Sequence, residues 1–509
     1  VAMLLTSRYA LIKNERLKTY KKPSTWVLMG IIVLMTLLDL VFTKLIYSSY
    51  NFIQTSWQEQ YGYSLEGYKA QLNQNPDDEH TKMLIEWTEY LLDNEIPPQD
   101  WRTDVVVELI GLKSNQQQTD PGVKFNGSDV YEYEYRVPMP GAGGGLNLSE
   151  EQRAERLDRL ERILEDNDWK AYVNLKIEDI KNGYMDSGNP QEKQVNIEMY
   201  ETYLKENIVP TAQNMHFLYH GDMSLSLIWK SREIESIKEN KLSLLRGENR
   251  YGEMLTGSMR RAVQQDIDIS LKRLATDTPP IESDSFLAQL ENASDSIVLF
   301  SILLIVYSAL VFASEYSGGT IKLLLITPHR RSKVFWAKIY LLFELMVIAV
   351  AANFIIAFLV SGLPESFEGI GAMQVFAMFG FIFRTPYLLY IAVKYALMLL
   401  PVLVYGALAV MLSIVTKRSS VAIAVTLMLV FGSQIIMALI AFARSQFIIP
   451  GIKFLLFSNV DLANYLTSRD MITVVDTTMT LEFSIAVLLV YMLCFMWIAR
   501  DSFCRRDVK

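Results

Sequence analysis

The sequence predicts an α-helical membrane protein with six transmembrane helices, an N-terminal amphipathic helix, and a mainly helical domain outside the membrane between the first two spans. Three observations carry that expectation. Six stretches are apolar over roughly the 20 residues that a helix needs to cross a bilayer; they lie near 26–46, 297–313, 337–360, 387–415, 420–443 and 481–499. The basic clusters beside them all fall on one side: Arg8 to Lys22, Lys322 to Lys333, Lys417 with Arg418, and Arg500 to Lys509. Positive flanks stay in the cytoplasm. Residues 47–296 hold 44 Asp and Glu against 25 Lys and Arg, a net of −19, whereas the rest of the chain carries +11. The low overall pI therefore reflects a charge split across a membrane, and the scattered basic residues exclude a nucleic-acid groove.

Residues 1–25 are expected in the cytoplasm. Between 3 and 20, Leu4, Leu5, Ala10, Leu11, Ile12 and Leu17 gather on one side of a helix with Arg and Lys opposite, a pattern that suits the inner membrane surface. Pro23 then turns the chain into the first span, 26–46. No cleavable signal peptide is expected, because the first apolar run starts late and is too long.

The segment 47–296 has no cysteine, so an ordinary core must hold it together, as its length permits. Ser149 is placed to cap a helix over 149–180, and a second helical pattern runs from Met223 to about Leu274, ahead of Pro279 and Pro280. "VYEYEYRV", 130–137, alternates like a strand, and "GAGGGLNLS", 141–149, reads as a hinge. "IEWTEYLLDNEIPP" from 85 and "IEMYETYLKENIVP" from 197 form a faint repeat. Residues 297–499 carry spans two to six, with a cytoplasmic loop at 314–336 and an outer segment at 445–466, before the basic tail 500–509.

Motifs for chemistry are absent. Glycines at 141–145 and 318–319 are not followed by the Lys and Ser or Thr of a phosphate cradle, so the chain is not expected to hydrolyse nucleotide or to be an enzyme. His216 and His220 stand four apart without an evident third ligand, so no metal and no cofactor is expected in this chain. Charges inside spans are more informative, since an ionised group at bilayer depth is costly. Asp39 and Lys394 lie at equal depth, about 10 Å below the outer end of their spans, and make a candidate ion pair. Glu344 lies near the inner side with no basic partner at its depth.

The loop after the second span carries the most specific pattern. In "EYSGGTIKLLLITPHRRSKVFWAKI", 315–339, Gly318 and Gly319 allow a sharp bend, Thr320 can cap a short apolar helix, and Pro328 closes it before the basic run. Glu315, Gly319, Thr320, Leu324, Pro328, Arg330 or Arg331, and Lys338 resemble the pattern found in permeases of type-2 ABC exporters. "IIPGIKFLLFSNVDLANYL", 448–466, is similar to the broken, partly re-entrant segment before the last span of that family. The likeness covers the amphipathic start and the spans, about half of the chain, and not the segment 47–296.

What the resemblance implies is a bacterial plasma-membrane permease, multi-pass, with both termini cytoplasmic. The loop would be the coupling helix seated on a separate ATPase subunit, which binds ATP and Mg. Two permeases, identical or paralogous, would pair in the lipid. An exporter and an envelope complex that senses or signals without cargo both fit, while an ion-driven transporter is disfavoured by the absence of an inverted repeat.

Overall fold

In the computed structural model the described residues are 12–52, 56–113, 148–183, 189–212, 225–249, 252, 254–255, 257–282, 285–317, 330–364, 366–444, 451–466 and 479–505. The expected strand at 130–137, the glycine hinge and both His216 and His220 lie outside them, as do Gly319, Thr320, Leu324 and Pro328.

Helices dominate. A first helix, α1, covers 12–20, followed by α2 (Pro23–Phe52), α3 (Trp57–Gln74), α4 (Glu79–Asp93), α5 (Arg102–Lys113), α6 (Glu150–Glu165), α7 (Trp169–Asn182), α8 (Pro190–Glu206), α9 (Leu225–Arg246) and α10 (Gly257–Ala275). The remainder comprises α11 (Phe286–Asn292), α12 (Ile297–Ser317), α13 (Arg331–Gly362), a hairpin of β1 (Met373–Met378) and β2 (Phe381–Pro386), α14 (Tyr387–Thr416), α15 (Ser419–Arg444) and α16 (Leu481–Arg505).

Five of these segments are long and apolar enough to cross a membrane: Pro23–Phe42, Phe286–Tyr316, Arg331–Gly362, Tyr387–Thr416 and Leu481–Arg505. The expected crossing at 420–443 falls on α15, whose 26 residues include the apolar stretch Ser419–Ser433. The chain divides into two compact units.

The first unit, Val1–Tyr47, Met254–Arg273 and Ile281–Lys509, contains all five helices. Its main core joins Ile32 of α2, Phe312 of α12, Phe335 and Leu345 of α13, Ile391 of α14 and Phe503 of α16. Phe286, Leu287 and Leu290 of α11 belong to the same core, so this unit begins before the expected boundary at 297. Ile269 of α10 packs with Val375 and Ala377 of β1, which draws a further stretch of the expected outer segment into it. The segment ahead of α16 is a chain of short 3-10 turns, starting at Gly451 in the left-handed conformation.

The second unit, Ser48–Glu253 and Leu274–Pro280, is helical. Helix α5 lies between two apolar clusters, giving Val105 and Leu109 to one and Val106, Val107 and Ile110 to the other, which explains burial around its whole circumference. Ser149 does cap α6, reciprocally with Gln152, but the expected single helix over 149–180 stops at Glu165 and restarts behind Asp168, whose side chain accepts from the backbone of Lys170 and Ala171. The pattern from Met223 likewise divides into α9 and α10, with Gly247 left-handed just beyond α9.

The faint repeat is a shared helix stop. Glu95 and Asn207, equivalent in the two copies, are both left-handed, and the N–H groups of Ile96 and Ile208 bond back to Leu91 and Tyr203 at 2.9 and 3.0 Å. The two exits then meet, as the Ala212 N–H donates to the Gln99 carbonyl.

Candidate functional site: two polar clusters in the helical bundle

Glu315 is two residues from the end of α12, and Lys338 is two turns into α13, so both stand at the base of the loop between those helices. Their side chains form an ion pair at 2.9 Å. Lys338 also reaches Glu15 of α1 at 3.1 Å, and only 3% of Lys338 is exposed. One ammonium thus holds three helices through two carboxylates. Around it, Phe312, Phe335 and Phe503 from α12, α13 and α16 meet with ring centroids 5.6 to 5.9 Å apart.

The same pole is fastened a second time. Glu344 accepts from Arg16 Nε at 2.8 Å, the Arg16 guanidinium lies over the Tyr340 ring, and the Tyr20 hydroxyl donates to the other carboxylate oxygen. The expectation that Glu344 lacks a basic partner is therefore corrected, because α1 folds back along α13 and brings its cation to that depth. Helix α1 turns Glu15 and Thr19 toward the protein and leaves Lys13, Asn14, Leu17 and Lys18 exposed. Arg330 precedes α13 as its N-cap residue, without a side-chain cap bond, and Arg331 donates to the carbonyl of Cys504 in α16.

A second cluster lies near the opposite end of the α11–α12 pair. Glu291 to Glu315 spans 24 residues, about 36 Å of helix at 1.5 Å per residue. Lys394 of α14 pairs with Glu291 at 3.3 Å and with Asp295 at 3.4 Å. Tyr387 and Tyr390 also donate to Glu291. The expected pair of Lys394 with Asp39 is corrected accordingly: the lysine is engaged by carboxylates from the α11–α12 junction, and Asp39 lies within electrostatic range of Asp295 instead.

Below that cluster, Asn353 of α13 is fully buried and ties four elements together. Its amide donates to Thr36 of α2 and to Ser296, each at 3.1 Å, and its carbonyl accepts from Tyr395 of α14 at 2.8 Å. Ser296 closes a 3-10 turn, Ala293–Ser296, between α11 and α12. Breaks of this kind inside a long helical run are frequent at hinges.

A family described as "Protein of unknown function (DUF2705)" matches residues 275–509. The chain is 26% identical over 255 residues to "Uncharacterized protein YhcI" of Bacillus subtilis (strain 168), covering 49% of this chain and 78% of that protein. It is 26% identical over 226 residues to "Uncharacterized membrane protein YdbK" of the same organism, covering 44% and 85% respectively. No solved structure matches. With five apolar helices of crossing length and a relative named as a membrane protein, the chain is a multi-pass membrane protein.

Sequence reasoning missed Glu15, Glu291, Asp295 and Asn353. Asn353 was visible as an amide inside an apolar span, and such a group must find partners in neighbouring helices. Glu291 and Asp295 carried no usable signal, since they sat among the many acidic residues of the segment 47–296. Among the described residues no group of three or more His, Cys, Asp and Glu is arranged to hold a metal.

Proposed function

We propose that this chain is the membrane-spanning subunit of an ATP-driven ABC exporter, with ATP and Mg bound and hydrolysed by a separate subunit. In this reading it has six spans, with α15 as the fifth, and both termini in the cytoplasm. The acidic second unit lies outside, and a second copy or paralogue completes the pathway in the bacterial plasma membrane. The observation that carries the reading is the Glu315–Lys338 ion pair. These residues open and close the pattern that resembles the coupling loop, and their contact shuts the loop at its base. Force applied to residues 318–329 then reaches α12, α13 and α1 together, because all three are fastened to Lys338.

The substrate would leave between spans that move as rigid bodies, a response that bundles of this kind support. Co-purification from a bacterial membrane tests the partner: an ATPase subunit accompanies the intact chain and is lost with Leu324→Asp. If the purified chain moves cargo into vesicles without a nucleotide-hydrolysing companion, the reading fails. Transport assays with inverted vesicles then divide an exporter from a complex that signals without cargo.

A further inference from the structure

The connection between α13 and α14 has a composition unusual for a segment outside a span. From Gly369 to Phe383 it contains no charged residue. It folds as the β1–β2 hairpin, in which Met378 pairs with Phe381 across the two-residue turn Phe379–Gly380. Both turn residues have positive φ, 53° and 78°, as a type I′ turn requires. Strand β1 is anchored: Val375 and Ala377 are buried with Ile269, Phe376 lies 5.2 Å from the Tyr390 ring, and the Ala377 N–H donates to the carbonyl of Leu466. Strand β2 and the turn are open, with Phe379 44%, Phe381 68% and Phe383 37% exposed.

We propose that this hairpin lies in the headgroup and upper acyl layer of the outer leaflet, with Phe379 and Phe381 inserted among the lipids. Three features point to lipid as the occupant. Pro386 of β2 directly precedes the first residue of α14, so the hairpin adjoins the start of one membrane-length helix, and ten residues separate β1 from the end of another, α13. The exposed residues Ile355, Leu359 and Leu363, four apart along and just past α13, and Leu389 at the start of α14, extend the apolar outer surface of the spans to the hairpin. In water, a strand edge carrying exposed phenylalanines, with Arg384 as the one charged residue of the hairpin, would be a site for edge-to-edge aggregation.

The depth follows from the backbone. Among the described residues β2 pairs with β1 alone, so the N–H and C=O groups of its other edge need a polar neighbour. Hydrocarbon cannot supply one, whereas the hydrated interface can. The aromatic rings enter the acyl boundary while the strand itself stays at headgroup level. The outer side of this placement rests on the orientation given under Proposed function; the lipid contact does not.

The test uses the full chain in liposomes with Cys494→Ser and Cys504→Ser, carrying Phe381→Cys labelled with an environment-sensitive NBD fluorophore. Phe379→Cys, on the other side of the turn, serves as an independent second reporter, and both positions point away from the core. We expect about twofold stronger quenching by a lipid nitroxide near the headgroup than by one at the chain end, as for an interfacial group. Iodide in the buffer should quench weakly. Strong iodide quenching at both positions overturns the proposal, and so does protection from lipid and iodide alike, which would mean coverage by a second copy or another protein. In intact cells a membrane-impermeant maleimide should block Glu368→Cys, in the exposed stretch between α13 and β1, on the same cysteine-free background. Failure to block, with lipid quenching intact, overturns the outer-leaflet assignment and the proposed orientation while leaving the hairpin in lipid.

Discussion

Lys338 illustrates how one buried cation decides a local structure. Two carboxylates converge on it, and removing only the lysine takes the shared cation from the buried Glu15 and the half-buried Glu315, with the exposed Lys18 still beside Glu15. Lys338→Met is therefore expected to destabilise the first unit by about 3–5 kcal/mol, read as a lowered unfolding midpoint in detergent. The triple variant Glu15→Gln, Glu315→Gln, Lys338→Met should recover most of that loss, because neutral groups no longer demand pairing. If the proposed ATP-driven transport is lost in the recovered variant, the ions act in coupling as well as in folding. A different residue sets a pH dependence in the second unit. Burial pushes the Glu235 carboxyl up to about 7, and Asp104 adds to the rise, against Lys238, the Thr211 hydroxyl bond and Arg232. A carboxyl raised on folding holds its proton more tightly in the native state, so this group's contribution is intact below the unfolded value and declines as pH rises through about 7. Glu235→Gln keeps the acceptor for Thr211 and should raise the stability of this unit by about 1–3 kcal/mol at pH 8 relative to pH 5. Equal effects at the two pH values, followed by urea unfolding, would show that Glu235 is ionised throughout.

Close approach between elements makes its own predictions. A Cβ on Gly362, at the end of α13, would run into the ring of Phe367, which is itself stacked on Phe358 and held by its N–H bond to the Gly362 carbonyl. A Cβ on Gly406 of α14 would meet only the Met346 methyl at 2.6 Å, the free end of a flexible side chain. Gly362→Ala should therefore cost about 1–3 kcal/mol and Gly406→Ala clearly less, an order that thermal unfolding in detergent can check. Hydrophobic period and length made the long helices legible, since a run such as 337–360 has few alternatives. The β1–β2 hairpin was not, because 373–386 falls between the spans expected at 337–360 and 387–415, and Gly380 alone marks its turn. The breaks at Asn167 and Gly247 were hidden for a different reason. Helical periodicity continues on both sides of each, and left-handed turns at Asn and Gly leave only a single residue as their mark. The site was legible where a motif named it, at Glu315 and Lys338, and illegible where chain reversal supplied the partner, as Arg16 does for Glu344.

At the scale of the bundle, the two polar clusters share helix α13. The Glu15–Lys338–Glu315 group fastens α1, α12 and α13 at the loop end, and Asn353 fastens α2, α13 and α14 to the 3-10 turn farther along. Helix α13 carries both Lys338 and Asn353, 15 residues or about 22 Å apart, so a displacement at one end has a stiff path to the other. Mere continuity is not coupling; energetic coupling requires a two-state element that both ends bias. The candidate for such an element is the 3-10 turn between α11 and α12, whose Ser296 accepts from Asn353. A double-mutant cycle decides the matter. Asn353→Leu alone should destabilise the unit by about 1–3 kcal/mol, since Thr36 and Tyr395 each lose a partner. Combined with Lys338→Met, it should show an interaction energy of about 0.5–2 kcal/mol. The cycle is measured on the proposed transport, or on ATP hydrolysis by the proposed partner subunit, with unfolding midpoints as the control. If the two changes add within about 0.3–0.5 kcal/mol in that functional readout, the ends work independently, and the loop does not move the far cluster.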